Sequence, residues 1–140
     1  MKKTFLLLLL AFLTACDLND DDSGNEMLYA YAPINAVELP ESLVLGETYV
    51  FEITYTNPSP CHKIFGYEYV PGAASNIFAI VTSYNPDNAL CTEEEGDTEV
   101  FEWEFTAELN EKHIFKFWQG VDEDGEPVFL TEEVEVRETI

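Results

Sequence analysis

The segment Thr48-Tyr49-Val50-Phe51-Glu52-Ile53-Thr54-Tyr55-Thr56 decides how the rest of the chain is read. Tyr49, Phe51, Ile53 and Tyr55 alternate with Val50, Glu52, Thr54 and Thr56. Successive strand side chains point to opposite faces, so this period of two describes a half-buried strand with its aromatic and aliphatic side turned to a core. Working outward, Phe101, Trp103 and Phe105 alternate with Glu102, Glu104 and Thr106 in the same way. Near the end of the chain, Val128, Leu130, Val134 and Val136 share one side, interrupted by Glu132, against Phe129, Thr131, Glu133, Glu135 and Arg137.

The run Ile77-Phe78-Ala79-Ile80-Val81 is apolar throughout, and its shortness and β-branching favour a buried strand over a helix. Pro, Gly, Asn and Asp punctuate the chain into seven predicted strands, near 34–39, 48–56, 62–70, 76–84, 97–107, 111–118 and 127–137. The Asp-Gly pair in Asp122-Glu123-Asp124-Gly125-Glu126-Pro127 joins the last two as a hairpin. No helical periodicity of useful length and no internal repeat is present in this part. The expected fold is all-β, a two-sheet antiparallel sandwich of about seven strands with one wet face per sheet. Its order of strands and turns resembles that of small bacterial immunoglobulin-like modules. The resemblance rests on Leu39-Pro40-Glu41-Ser42-Leu43-Val44-Leu45-Gly46-Glu47 leading into the strand at 48.

Upstream the texture changes. Lys2 and Lys3 precede an apolar run from Phe5 to Leu13, then Leu13-Thr14-Ala15-Cys16. A basic pair followed by an h-region of this size is the layout of a secretory signal, too short to span a bilayer. Leu13-Thr14-Ala15-Cys16 resembles the lipobox of bacterial lipoproteins. That resemblance implies cleavage before Cys16, a diacylglycerol on its thiol and an N-acyl lipid on its new amino group. Two or more acyl chains hold a protein on a membrane where a single chain would be marginal. The expected organisation is a signal peptide at 1–15, a lipidated cysteine with a disordered acidic tether at 16–30, and an immunoglobulin-like sandwich at 31–140.

The tether expectation follows from Asp17-Leu18-Asn19-Asp20-Asp21-Asp22-Ser23-Gly24-Asn25-Glu26, which has one apolar residue and cannot offset its chain entropy by burial. Asp20-Asp21-Asp22 resembles the acidic export tract of some Gram-negative surface lipoproteins, implying the outer face of the outer membrane. In other bacteria an aspartate directly after the lipidated cysteine, here Asp17, implies retention in the inner membrane. The expected location is the cell envelope, on the outer membrane and exposed at the surface. An EF-hand frame starting at Asn19 places Asp21, Ser23 and Gly24 suitably, but its twelfth position is Ala30 where a glutamate is needed.

Charge and cysteine content narrow the function. Without Lys2 and Lys3, 4 of the 6 basic residues remain against 28 acidic ones, a formal charge of -24 for the mature chain. Such a surface repels phosphate backbones, so no nucleic-acid partner is expected. With Cys16 lipidated, Cys61 and Cys91 form an even pair in an oxidising compartment and are expected to be disulfide-bonded. A thiol at Cys61 with His62 as its base is the rival. Strand neighbours point to opposite faces, which places that pair badly.

The acids are scattered over predicted wet faces and loops, as with Glu102, Glu104 and Glu93-Glu94-Glu95. No H-E-x-x-H, G-x-S-x-G or phosphate loop is present, and the two histidines, His62 and His113, are far apart in sequence. The chain is therefore read as a non-enzyme with no cofactor beyond its lipid. Two ligand sites come from the residues. Asp122, Asp124 and Glu126 are metal candidates in the last hairpin, set against a plain turn. By alternation Ile114, Lys116 and Trp118 share the wet side of one strand while Phe115 and Phe117 face the core. Trp118, with Ile114 beside it, is the candidate for stacking on a sugar or a protein partner.

The expected function is a membrane-anchored, non-catalytic module that binds a protein or a glycan. Two alternatives stand beside it. Gly46-Glu47-Thr48-Tyr49-Val50-Phe51 running to Asn57-Pro58 resembles the chagasin-type protease inhibitors, which implies cysteine-protease inhibition. Here Ser59-Pro60-Cys61-His62 replaces that family's Thr-Thr-Gly-Tyr, and its Arg-Pro-Trp loop is absent. The other alternative is a passive structural subunit of the envelope.

Overall fold

A computed structural model describes residues 26–72, 75–109 and 111–138. The signal segment 1–15, Cys16 and the tether as far as residue 25 lie outside the described residues. The chain forms nine strands: β1 (Leu28–Ala32), β2 (Ile34–Glu38), β3 (Ser42–Val44), β4 (Thr48–Thr56), β5 (Lys63–Val70), β6 (Asn76–Tyr84), β7 (Thr98–Thr106), β8 (His113–Val121) and β9 (Pro127–Arg137). There is no helix among the described residues.

The alternation in β4 does what its pattern dictates. Phe51, Ile53 and Tyr55 are buried while Val50 and Glu52 are exposed. β4 sits between β2 and β7 in a three-stranded sheet. The second sheet has six strands in the order β1-β6-β8-β9-β3, with β5 also paired to β6. The sheets face one another over Phe51, Ile53, Trp103 and Phe105 from one side and Phe78, Ile80, Phe115, Phe117 and Val134 from the other. The fold is an all-β, two-sheet sandwich. The chain changes sheet at Pro33, whose carbonyl accepts a hydrogen bond from the Thr56 amide at 3.1 Å. Proline suits such a corner because it has no N–H to place in either ladder.

Four features correct the expected arrangement. β1 begins inside the stretch 16–30 read as tether, with Leu28, Tyr29 and Ala30 opposite Tyr84, Ser83 and Thr82. β3 is a further strand, only three residues long. The sheets are also not wholly antiparallel. β3 runs parallel to β9, pairing Leu43 with Val136, and β6 runs parallel to β8, pairing Asn76 with Phe115. β1 and β8 share one edge of β6, because β8 covers residues 76–78 and β1 covers residues 80–84.

The ends of the sandwich differ. At one end Cys61 and Cys91 are disulfide-bonded across a sequence separation of 30, with Cα atoms 4.8 Å apart. There the Asn57 amide donates to the Asp97 carbonyl at 3.0 Å and the Gly96 amide to the Asn57 carbonyl at 2.8 Å. At the other end the β3–β4 turn closes against the residue that follows β7, through the Gly46 amide and the Ala107 carbonyl at 2.7 Å. The β8–β9 hairpin forms as expected, with Gly125 at φ 80° where a side chain would be strained.

Candidate functional site: an aromatic groove on the outer face

The outer faces of the two sheets are chemically opposite. On the three-stranded sheet, Glu38 pairs with Glu52 and Glu52 with Glu102, forming a row of carboxylates across all three strands. Like charges directly opposite one another destabilise a sheet. The hydrogen bond that Glu52 shares with Glu38, and then the Glu38 charge itself, hold the Glu52 carboxyl above its ordinary range. The sign follows from that direction. A carboxyl raised in the folded state favours folding while protonated, and this contribution is lost as pH rises through its folded pKa. Glu52→Gln is therefore expected to raise the melting temperature at pH 7 and low salt. The gain fades toward pH 4 and under added salt. A lower melting temperature for the variant at pH 7 contradicts this reading of the row.

The six-stranded sheet turns aromatic rings outward instead. Along β8, Phe115 and Phe117 are fully buried while Ile114, Lys116 and Trp118 face outward, each partly exposed. Trp118 packs against Tyr31 of β1 with ring centroids 5.3 Å apart. Two residues back on the same face of β1, Tyr29 meets Phe65 of β5 edge-on at 4.8 Å. Phe65 is 65% exposed, Tyr29 56% and Tyr31 41%. Such rings are ordinarily core residues, and a cluster of them in solvent marks a contact surface.

The rings of Tyr29, Tyr31 and Phe65 are walls of a groove, and Trp118 adjoins it through its contact with Tyr31 without lining it. β1 and β5 both pair with β6, so they stand on either side of its Val81. Two adjoining hollows of about 230 and 470 Å3 lie between them, lined by Tyr29, Tyr31, Phe65, Gly66, Glu68 and Val81. A Cβ on Gly66 would meet nothing within 4 Å, so the β5 wall is open at that point. Glu68 is the charged group of the groove, and its carboxylate accepts a hydrogen bond from the Tyr31 hydroxyl. That bond, with some burial, holds the Tyr31 phenol above its ordinary pKa. The groove thus offers ring faces and edges, a carboxylate acceptor and no fixed cation among its lining residues.

The other residues singled out from the sequence fall elsewhere. Ile114 lies four residues before Trp118, about 13 Å away by strand rise, and does not line the groove. Asp122 is committed to its turn. Its carboxylate accepts the amides of Asp124 at 2.9 Å and Glu126 at 3.0 Å, which fixes the hairpin loop. Among the described residues no group of three or more His, Cys, Asp or Glu is placed to hold a metal ion, Asp122, Asp124 and Glu126 included.

The Cys61 thiol is tied up in the disulfide. His62 lies 2.9 Å from the Thr82 hydroxyl through Nδ1 and stacks on Tyr84 at 4.2 Å. Thr82 gives its own proton to the Ala30 carbonyl at 2.9 Å, so His62 Nδ1 carries the hydrogen and donates. Burial pushes this imidazole below its ordinary pKa. His62 thereby holds the Thr82 hydroxyl of β6, which in turn ties β6 to the Ala30 carbonyl of β1.

Tyr29, Tyr31, Phe65 and Glu68 had no signature in the sequence reading. Tyr29 and Tyr31 alternate with Ala30 and Ala32, a pattern that inverts the usual order by setting large rings outward and small residues inward. The molecule so defined is a two-sheet β-sandwich with a carboxylate-lined back and an aromatic front. Compared with known proteins, the chain matches no family model, no curated sequence and no solved structure.

Proposed function

We propose that the protein is a bacterial cell-envelope lipoprotein, anchored by a diacylglycerol and an N-acyl lipid on Cys16, whose sandwich binds a glycan in the aromatic groove. The observation that carries this reading is the cluster of exposed rings, Tyr29, Tyr31 and Phe65, on one face, with the partly exposed Trp118 packed beside Tyr31. Sugar rings present apolar C–H faces that pack on aromatic rings, and hydroxyl groups that donate to a carboxylate such as Glu68. An uncharged glycan is also indifferent to the -24 charge of the mature chain, whereas anionic partners are repelled. Placement on the outer membrane, exposed to the surroundings, suits a module of this kind. The role is binding, without catalysis.

A protein partner on the same face is the second reading, supported by the apolar area that the rings leave exposed. The inhibitor reading draws less support. Asn57, Ser59 and Cys61 of the β4–β5 loop are buried, leaving few of its side chains available to a protease.

A glycan array probed with the lipid-free chain from residue 17 separates these readings. Binding to uncharged glycans that Trp118→Ala and Tyr31→Ala abolish supports the proposal. Replacing Cys16 with serine in the precursor is expected to release the protein from membranes into the soluble fraction. Retention of that variant on membranes contradicts the anchor.

A further inference from the structure

The free edge of β5 differs from the other edges of the fold. Among the described residues β5 pairs only with β6, so one side of its backbone from Lys63 to Val70 has no partner strand. Ile64, Phe65, Tyr67 and Val70 along it are exposed. An unpaired apolar edge of this kind is a template for a further strand. The other strands that end a sheet, β1, β2, β3 and β7, hold no Lys or Arg. β5 holds one cation, Lys63, and one carboxylate, Glu68, both exposed.

The pairing with β6 tells which of these residues share a face. Lys63 lies opposite Ser83, which also meets Tyr29 of the outer face, and Glu68 accepts the hydroxyl of Tyr31 on that same face. Tyr67 stacks on the buried Phe78 at 5.2 Å and Tyr69 packs on Trp103 at 4.9 Å, so both turn inward. Ile64, opposite the buried Thr82, lies on the inner side as well. In a regular strand the odd separation between Lys63 and Glu68 would put them on opposite faces. They share one because the ladder slips between Ile64, opposite Thr82, and Gly66, opposite Val81, leaving Phe65 as the extra residue of a bulge.

The bulge selects how two such edges can meet, since residues opposite one another in a sheet must share a face. In an antiparallel pair of β5 strands related by a two-fold axis, the faces match along the whole strand only where the bulge of one copy lies against the bulge of the other. That register sets Lys63 opposite Glu68 of the second copy and Ile64 opposite its Tyr67, each twice. At the axis Phe65 of one copy meets Gly66 of the other, where a Cβ would touch nothing within 4 Å and a ring finds room. A carboxylate accepts more than one hydrogen bond, so the Tyr31 bond to Glu68 Oε2 does not exclude a lysine. The acidity of the chain opposes two copies at long range, but physiological salt screens it beyond about 8 Å, while opposed cross-strand side chains stand about 5 Å apart.

We propose that the protein forms a two-fold homodimer in which the β5 edges of two copies pair antiparallel, bulge against bulge, with Lys63 of each copy meeting Glu68 of the other. The pairing joins the two six-stranded sheets into one, and it stands whether or not the groove takes a glycan.

Sedimentation equilibrium of the lipid-free chain from residue 17, from micromolar to millimolar concentration in physiological salt, is expected to show monomers and dimers and nothing larger. Lys63→Glu and Glu68→Lys each set like charges opposite one another, and each is expected to weaken the dimer at least about tenfold, or about 1.4 kcal/mol. Glu68→Lys separates this pairing from general repulsion, because it lowers the net negative charge and would strengthen a dimer limited by that charge alone. The double variant sets opposite charges together again and is expected to recover the original affinity. Carbodiimide coupling in a mixture of 14N- and 15N-labelled chains is expected to join Lys63 to Glu68 in peptides that carry both labels. A strict monomer throughout, a dimer that both charge reversals leave unchanged, or one that the double variant fails to restore overturns the proposal. The first of these leaves the β5 edge to a strand of another protein.

Discussion

Truncating Phe51 to alanine is expected to lower the unfolding free energy by about 3–5 kcal/mol, the range for removing a buried phenylalanine. The side chain is fully buried. It is the point where the sheets meet: its ring lies 5.5 Å from Trp103 and Phe105 on β7, and 5.3 Å from Phe115 on β8 across the core. Two of these contacts are edge-to-face, at 84° and 88°, an arrangement aromatic rings favour beyond the area they bury. An alanine leaves a void with rigid rings on several sides and little capacity to collapse. For a domain of this size the loss corresponds to a fall in melting temperature on the order of 10–20 °C. Phe65→Ala is the control, since a ring 65% exposed is expected to change stability by no more than about 0.5 kcal/mol. Urea denaturation of both variants checks the pair, and equal effects contradict the assignment of core and surface.

Removing the disulfide is expected to cost about 3–4 kcal/mol on the chain-entropy model, for a cross-link closing 30 residues of chain. The consequence is local as well as global. Just outside the two bridged cysteines, the Asn57 amide bonds the Asp97 carbonyl and the Gly96 amide the Asn57 carbonyl, which closes the sandwich at that end. Gly96 packs so tightly that a Cβ there would stand 2.7 Å from the Ser59 carbonyl oxygen and 2.9 Å from Asn57 Cβ, so the loop has little room to shift. Cys61→Ala with Cys91→Ala is expected to lower the denaturation midpoint, and to raise hydrogen exchange at the Asn57 amide before that of the β4 interior. A dithiothreitol-treated sample is expected to match the double variant. Unchanged midpoints in both contradict a stabilising bridge.

The strands were legible because alternation is a local property. The runs expected at 48–56, 76–84 and 127–137 match the observed strands to the residue, and the other expected strands fall within a few residues of their observed bounds. Pairing was not legible. β6 lies parallel to β8 because β7 intervenes in the other sheet and returns the chain to its starting end, a consequence of the whole path. β3 is too short to show a period, and β1 hides its strand by turning tyrosines to solvent and alanines to the core. Trp118 was found from alternation along β8. Its companions were missed because Tyr31 and Phe65 come to it only through the shared pairing of β1 and β5 on β6.

The acidic row on the back of the molecule supplies an internal control for the front. Glu102 lies on the outer face of the three-stranded sheet, opposite the groove, so Glu102→Gln alters charge without touching a ring. The most direct test is the binding of uncharged glycans to the lipid-free chain from residue 17, measured on an array and confirmed by calorimetry. The account predicts a saturable glycan ligand whose affinity falls at least about tenfold in Trp118→Ala and in Tyr31→Ala, a loss of about 1.4 kcal/mol or more, with Glu102→Gln unchanged. Absence of any glycan ligand, or affinity unchanged by both ring substitutions, would contradict it.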